Sequence, residues 1–149
     1  MNSQRQQPGV ITDALSARTI AIVGLSANPT RPSYGVARYL IEAGYQVIPV
    51  NPREQEVLGL PCYPNLASVP VAIDVVDVFR ESAAVAEIAR ESVAIKAKFL
   101  WLQLGVISDE GVAIAEAGGM QCVVDLCTKI EHQLRVQQFG ENLYPNSKR

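Results

Sequence analysis

The chain has 149 residues, a length typical of one domain. Apolar residues make up 48% of it, enough for one substantial core, and the 19% of charged residues excludes a disordered composition. The formal net charge is −2 and there is no run of lysine or arginine, which argues against a nucleic-acid partner and against a membrane-surface partner. Any anionic ligand must therefore be held by local features.

The absence of targeting signals in the sequence and the spacing of its cysteines narrow the class of protein further. No apolar run approaches the roughly 20 residues of a membrane span, and the polar N-terminus lacks the apolar segment of a secretory signal. We therefore expect a cytoplasmic protein. Cys62, Cys122 and Cys127 are an odd number of cysteines without metal-site spacing, so neither a disulfide framework nor a metal site is predicted.

Strands and helices alternate from Thr19 to Asp125. Short apolar runs predict strands, and apolar residues at helical spacing predict the helices between them. A serine can begin a helix because its side-chain oxygen accepts an unpaired N–H, and a glycine can end one. The predicted strands cover residues 19–25, 46–50, 73–79, 98–104 and 121–125. Three helices are predicted between them: one from a Ser33 cap to near Gly44, one from a Ser82 cap to Glu91, and one from a Ser108 or Asp109 cap to Ala117. A last helix is predicted over residues 130–139. Residues 58–71, which are punctuated by glycine and proline, are predicted to be irregular.

This alternation predicts an α/β fold. Strands separated by helices form a parallel sheet with right-handed crossovers, and helices on both faces explain why the strands are apolar throughout. The fold class is a Rossmann-like, doubly wound, three-layer fold with a mainly parallel five-stranded sheet. We expect one domain over residues 1–149, with a core over about residues 19–132 and flanking terminal segments.

A ligand of such a sheet lies beyond the carboxyl ends of the strands. This rule selects residues 24–35, 51–53, 79–80, 103–106 and 125–129. In the first segment a glycine ends the strand and a helix N-terminus follows, an arrangement that favours a phosphate. The G-x-G-x-x-G spacing of dinucleotide sites is absent, and Asn51-Pro52-Arg53 offers no carboxylate for a ribose diol. A neutral-to-basic end suits the phosphorylated ribose of coenzyme A or of NADP.

Five short motifs carry a resemblance to a known family. They are Val23-Gly24-Leu25-Ser26, Arg31-Pro32-Ser33-Tyr34-Gly35, Val50-Asn51-Pro52, Asp77-Val78-Phe79-Arg80 and Trp101-Leu102-Gln103-Leu104-Gly105-Val106. In order and spacing the chain resembles the small single-domain bacterial members of the CoA-binding domain family, which is related to the N-terminal domain of the succinyl-CoA synthetase alpha subunit. The resemblance runs from about Thr19 to His132.

The resemblance implies a coenzyme A or acyl-CoA ligand lying over the strand ends. Ser26, Arg31, Ser33 and Tyr34 would flank the phosphates, Asn51, Pro52 and Arg53 would border the adenosine, and Phe79 and Arg80 would line the crevice. Gly24, Gly35, Gln103, Gly105 and Cys127 complete the candidate set. Many relatives have Asp-Arg-Cys where this chain has Asp125-Leu126-Cys127, so a contact normally made by that arginine is in doubt.

Three further side chains have distinct expectations. Cys127 lies near Lys129 and a helix start, where a thiolate is stabilised, so we hypothesise that it forms a mixed disulfide with coenzyme A under oxidising conditions. Trp101 lies inside an apolar strand and is expected in the core. His132 is the only histidine and by itself forms neither a metal site nor a catalytic triad.

The sequence favours a non-catalytic binding or regulatory protein, and no catalytic residue is predicted. The alternatives are an enzyme, either an acyl-CoA ligase fragment or an NADP-dependent reductase, and a regulatory subunit that reports acyl-CoA levels to an unidentified protein partner. Against the ligase, nothing in the chain corresponds to the further domain that holds the phosphorylated histidine of succinyl-CoA synthetase. Against the reductase, the glycine fingerprint is absent.

Overall fold

The structure is a computed structural model that describes residues 8–140. Seven strands and five α-helices are formed within that range. The strands are β1 (Thr19–Val23), β2 (Gln46–Val50), β3 (Glu56–Val57), β4 (Leu60–Pro61), β5 (Val75–Val78), β6 (Phe99–Leu102) and β7 (Gln121–Val124), and the helices are α1 (Pro8–Leu15), α2 (Pro32–Glu42), α3 (Val85–Ala94), α4 (Asp109–Ala117) and α5 (Thr128–Phe139).

Five of the strands form one sheet in the order β2-β1-β5-β6-β7, and every neighbouring pair is parallel. The predicted fold class is confirmed. Because β1 pairs with β2 on one side and β5 on the other, the strand order reverses between β1 and β5, which is where a doubly wound sheet opens a crevice. Pro49 lies in the edge strand β2, where a missing ladder donor is tolerated.

The core has two halves, one on each face of the sheet. Successive residues of β1 alternate between them: Ala21 and Val23 pack with α3 and α4, whereas Ile20 and Ile22 pack with α1, α2 and α5. This alternation is the pleat of a strand whose two faces are both covered. No helix among residues 8–140 is long and apolar enough to cross a membrane.

Two elements were not predicted. Helix α1 precedes Thr19 and buries Ile11, Ala14 and Leu15, whose spacing is that of one helical face. The short hairpin of β3 and β4 lies in the region that was predicted to be irregular. Its turn places Leu58 and Gly59 at φ 55° and 75°, the conformation of a tight hairpin turn that leucine seldom adopts.

The helix starts correct two of the three predicted caps. Helix α2 begins at Pro32 after Arg31, and its Ser33 is inside the helix. Helix α3 begins at Val85, and Ser82 lies in a preceding 3-10 turn, where its Oγ accepts the Ile107 N–H at 3.0 Å. Ser108 is confirmed as the cap of α4, with its Oγ accepting the Gly111 N–H at 3.0 Å. Both wrong caps have their oxygens engaged by other parts of the chain.

Candidate functional site

Gly24 brings the ends of β1 and β5 together at the point where the strand order reverses. Its φ is +92°, and a Cβ there would lie 2.4 Å from the Phe79 carbonyl oxygen. The Gly24 N–H donates to the Val50 carbonyl oxygen at 2.8 Å, which also holds the end of β2. The glycine is therefore required by close backbone approach at the centre of the crevice.

The loop after Gly24 is held by serine side chains. The Ser26 N–H donates to Ser33 Oγ at 3.1 Å, and the Asn28 N–H donates to Ser26 Oγ at 3.0 Å. Each hydroxyl accepts one backbone N–H and keeps its own proton for a further acceptor. Ser33 is buried, whereas Ser26 is partly exposed, so Ser26 is the more accessible of the two donors.

The start of α2 is open to solvent. Arg31 is exposed and its guanidinium forms no ion pair with residues 8–140, while Tyr34 is half-buried. At Gly35 an added Cβ would meet no atom within 4 Å, so the first turn is open to close approach. This loop and first turn together offer hydroxyl donors, one positive charge and the positive end of a helix dipole.

A cavity of about 600 Å³ lies beyond the ends of β1, β2 and β5, and we call it the polar cavity. Asn51 at its edge is already engaged, because its Nδ2 donates to the Leu25 carbonyl oxygen at 2.9 Å and its Oδ1 accepts the Arg53 N–H at 2.9 Å. Asn51 thus shapes the wall by tying β2 to the loop after β1. The lining residues are Val23, Gly24, Val50, Asn51, Pro52, Arg53, Pro64, Asn65, Arg80, Glu81, Ala84, Glu87, Ile88 and Glu91.

Charges of both signs line the polar cavity. The Arg80 guanidinium contacts Glu81 with Nε–Oε1 at 3.1 Å, and this hydrogen bond lowers the pKa of Glu81. Burial, followed by the charge of Glu87, raises the pKa of Glu91. The α3 side is therefore acidic and disfavours phosphate groups, whereas Arg53 lies on the opposite, β2 side.

A second cavity, of about 350 Å³, lies beyond β5 and β6, and we call it the apolar cavity. Cys127, at the start of α5, lines it and is only 8% exposed, whereas Leu104 is 58% exposed at its rim. The lining residues are Pro32, Val36, Phe79, Arg80, Gln103, Leu104, Val106 and Cys127. Arg80 lines both cavities, so they adjoin at this side chain.

A buried polar network lies behind the apolar cavity. Asp77, in the middle of the sheet, is fully buried, and its Oδ2 lies 3.0 Å from Thr128 Oγ1. The same Thr128 Oγ1 lies 3.0 Å from Gln103 Oε1, which also accepts the Thr128 N–H at 3.1 Å. Burial raises the pKa of Asp77 well above its usual value, against a smaller lowering by the bond to Thr128. The network joins β5, β6 and the first turn of α5.

The loops after β6 and β7 are tied to one another. Gly105 donates its N–H to Asp125 Oδ1 at 2.8 Å, and Asp125 has a φ of 64°. Trp101 is fully buried, as predicted, and its Nε1 donates to the Leu126 carbonyl oxygen at 2.8 Å. The residue that replaces the arginine of many relatives therefore supports the core through its backbone.

His132 belongs to a separate cluster. It is fully buried, its Nδ1 lies 2.7 Å from the Tyr39 hydroxyl, and burial lowers its pKa to about 4. Lys129 Nζ lies 5.7 Å from the centroid of the Tyr39 ring. None of these three residues lines either cavity. Within the described part of the chain, no group of three or more His, Cys, Asp or Glu residues is suited to a metal ion.

The structure divides the predicted site residues into three groups. Gly24, Asn51, Pro52, Arg53 and Arg80 line the polar cavity. Phe79, Arg80, Gln103 and Cys127 line the apolar cavity. Ser26, Arg31, Ser33, Tyr34 and Gly35 lie in the adjoining loop and first turn of α2, and Gly105 lies beyond β6.

Sequence reasoning missed the acidic α3 wall and the buried network. The position of Asp77 within an apolar strand could have indicated the network, because a buried carboxylic acid is costly unless it stays neutral or is paired. Nothing in the local sequence indicated the role of Thr128, since its partners lie 25 and 51 residues away along the chain.

Fold, reversal point and paired cavities define a doubly wound α/β domain built to bind a nucleotide-type ligand. Residues 18–133 match the CoA-binding domain family, and the chain belongs to this family. It is 36% identical to the protein YneT of Bacillus subtilis over 116 residues, which are 78% of this chain and 86% of YneT.

The chain is also similar to a protein of known structure and to part of a larger enzyme. A Pyrococcus horikoshii protein of known structure superposes with a TM-score of 0.85 at 34% identity, over 89% of this chain and 94% of that one. An ADP-forming acetate–CoA ligase of Archaeoglobus fulgidus is 25% identical over 89% of this chain, but the chain spans only 19% of the ligase. The ligase is thus a much larger protein that contains a similar domain.

Proposed function

We propose that this protein binds coenzyme A or an acyl-CoA without itself catalysing a reaction. The observation that carries the proposal is the pair of adjoining cavities, one polar and one apolar, that share Arg80. Coenzyme A has the same division, with a charged nucleotide at one end and a largely uncharged pantetheine arm at the other. Membership of the CoA-binding domain family supports this assignment.

The phosphates belong at the loop between β1 and α2. Ser26 has a hydroxyl proton to donate there, Arg31 supplies a positive charge, and Gly35 leaves open space. The acidic α3 side of the polar cavity repels phosphates, so this cavity takes the adenosine end, bordered by Asn51, Pro52 and Arg53. The pantetheine arm then enters the apolar cavity towards Cys127.

Isothermal titration calorimetry tests the proposal with coenzyme A, NADP and NAD as matched ligands. We expect coenzyme A to bind most tightly, because the end of β2 offers no carboxylate for an unmodified ribose diol and the apolar cavity fits an uncharged arm. Tighter binding of NAD or NADP would refute it. Mass spectrometry of the natively purified protein gives an independent reading, namely a co-purified nucleotide of coenzyme A or acyl-CoA mass.

The similarity to an acetate–CoA ligase favours a second candidate, a CoA-binding subunit of a larger acyl-CoA ligase. The chain spans too little of that ligase to carry its activity by this similarity. Native purification distinguishes the two, because only a ligase subunit should be recovered in a complex that forms ATP from acetyl-CoA, ADP and phosphate. Recovery of the chain alone, with no ATP formation, would favour the binding protein.

A further inference from the structure

Gln103 presents one side of its amide to the protein and the other to the apolar cavity. The residue is 4% exposed and lines this cavity. Its Oε1 accepts two hydrogen bonds from Thr128, one from the backbone N–H at 3.1 Å and one from the hydroxyl at 3.0 Å. Because an N–H can donate only to the oxygen, the amide cannot be turned around, and Nε2 must point away from Thr128.

The Gln103 Nε2 donor has no acceptor among residues 8–140. It also differs from Asp77 Oδ1, an enclosed and unpaired oxygen among the described residues, because it retains accessible surface. An N–H donor in mostly apolar surroundings is costly to leave unpaired and gains most from a matching acceptor. The geometry therefore leaves an oriented amide donor for a ligand in the apolar cavity.

Counting protons shows what holds this orientation. Thr128 Oγ1 has one proton but two oxygen neighbours, Asp77 Oδ2 and Gln103 Oε1, each at 3.0 Å. Asp77 is fully buried and forms no ion pair with the described residues, and burial raises its pKa. A neutral Asp77 completes the chain, since its O–H donates to Thr128 Oγ1 and the Thr128 O–H donates to Gln103 Oε1. Asp77 is thus a positioning residue for Gln103.

We propose that Gln103 Nε2 recognises a carbonyl oxygen on the ligand's arm, and that the Asp77–Thr128 chain fixes the amide for this purpose. The inference rests on the proposed binding of coenzyme A. Two carbonyl sources fit the cavity, an amide of pantetheine and the thioester of an acyl-CoA. Both present an uncharged acceptor, which is the chemistry that an unpaired amide NH2 in an apolar cavity selects.

The test compares wild type, Gln103→Leu and Gln103→Glu by calorimetry at pH 8. The leucine removes the donor and both bonds to Thr128. The glutamate keeps an acceptor for Thr128 and replaces the amide donor with a carboxylate oxygen, which repels a carbonyl acceptor. Coenzyme A and acetyl-CoA carry the arm, and 3′,5′-ADP has no carbonyl. Thermal unfolding of both variants monitors folding, so the glutamate variant keeps the test valid if the leucine variant unfolds.

We expect both variants to lose about 10-fold in affinity for the ligands with an arm and to keep wild-type affinity for 3′,5′-ADP. Equal losses for coenzyme A and acetyl-CoA assign the acceptor to pantetheine, and a larger loss for acetyl-CoA assigns it to the thioester. An equal loss for 3′,5′-ADP, or unchanged affinity for both coenzyme A and acetyl-CoA in both variants, overturns the inference alone. Absence of coenzyme A binding by the wild type overturns the proposed function with it.

Discussion

The polar and apolar cavities adjoin at Arg80 but are built in different ways. The polar cavity is shaped by backbone geometry, with Gly24 against Phe79 and Asn51 tied to Leu25, and its charges are carried by exposed or half-buried side chains. The apolar cavity is backed by a buried network that carries no net charge when Asp77 is neutral. Substitutions in the polar cavity should therefore alter stability or binding through steric clashes and salt-dependent electrostatics. Substitutions in the network behind the apolar cavity should act through hydrogen bonding and should depend on pH.

The largest effect is expected from Gly24→Ala. A methyl group 2.4 Å from the Phe79 carbonyl oxygen, at a φ of +92°, forces the ends of β1 and β5 apart. Left-handed strain and overpacking together cost about 2–5 kcal/mol of unfolding free energy. Urea unfolding measures the loss.

Gly35→Ala is the matched control for Gly24. Its added methyl group meets nothing within 4 Å, and alanine in a helix is more stable than glycine by about 0.5–1 kcal/mol. We therefore expect the two substitutions to change stability in opposite directions. Equal stability of the two variants would contradict the close approach at the reversal point.

Asp77→Asn tests the neutral network behind the apolar cavity. The folded pKa of Asp77 is raised, so the native state binds more protons than the unfolded state above about pH 4 and its stability falls as pH rises. Asparagine is neutral at every pH, and its Nδ2 can donate to Thr128 Oγ1. Relative to wild type, the unfolding free energy of the variant should rise by at most about 1.4 kcal/mol per pH unit above pH 4.

Urea unfolding of both proteins across pH 4.5–8 measures this gain in unfolding free energy. His132 acts in the opposite sense, because its pKa is lowered to about 4 and stability is lost as pH falls from about 6.5. The difference between variant and wild type cancels that contribution. Asp13→Asn, at an exposed position, is the control and should show no trend. A pH-independent difference for Asp77→Asn would mean that the carboxylate is ionised in the fold.

Arg80→Gln probes the side chain that the two cavities share. Removing the positive charge between the two cavities should weaken binding of the anionic coenzyme A by about 10-fold at low salt, and the deficit should shrink as salt rises. Arg90→Gln changes the same charge on α3. Arg90 lines neither cavity and pairs with Glu110 and with Glu87 of the polar-cavity wall. Calorimetry at two ionic strengths measures coenzyme A binding by both variants. Equal losses of affinity would mean that Arg80 contributes only through the overall charge of the protein.

The smallest change in stability is expected from modifying Cys127. Its thiolate can attack coenzyme A disulfide, form a mixed disulfide and release one coenzyme A thiolate. Cys62 should react more slowly because it lines neither cavity and burial raises the pKa of its thiol, and Cys122 is buried within β7. Intact mass should show one adduct on wild type and none on Cys127→Ser. An adduct that persists in the variant would assign the reaction to another cysteine.

Local sequence signals predicted the layout of the sheet. Strand β2 was predicted with its observed bounds, and the other strands of the sheet were predicted one to three residues too long, because apolar runs continue into buried loop ends such as Leu25. Helix α1 was missed although Ile11, Ala14 and Leu15 have helical spacing, since the alternating pattern was traced only from Thr19.

The sequence predicted that the candidate residues share one edge of the sheet, but not the chemical environment at that edge. Parallel strands end at a common edge, so alternation alone places residues 24, 51, 79 and 103 together. Sequence could not show that Ser33 Oγ holds the Ser26 N–H instead of capping α2, because that bond depends on how the loop folds back. Nor could it assign the mixed charges of the polar cavity, since α3 reaches the crevice only through the crossover.

What the sequence determined by itself is the order of elements, the class of fold and the segments at the binding edge, because hydrophobic periodicity and glycine placement are local properties. Tertiary structure decided which groups are neutral, oriented and accessible. Asp77 lies on β5, Gln103 directly follows β6 and Thr128 begins α5, so their hydrogen-bond chain exists only when these elements are packed together. Ionisation and amide orientation depend on burial and on partners distant along the chain, and those are properties of the folded state alone.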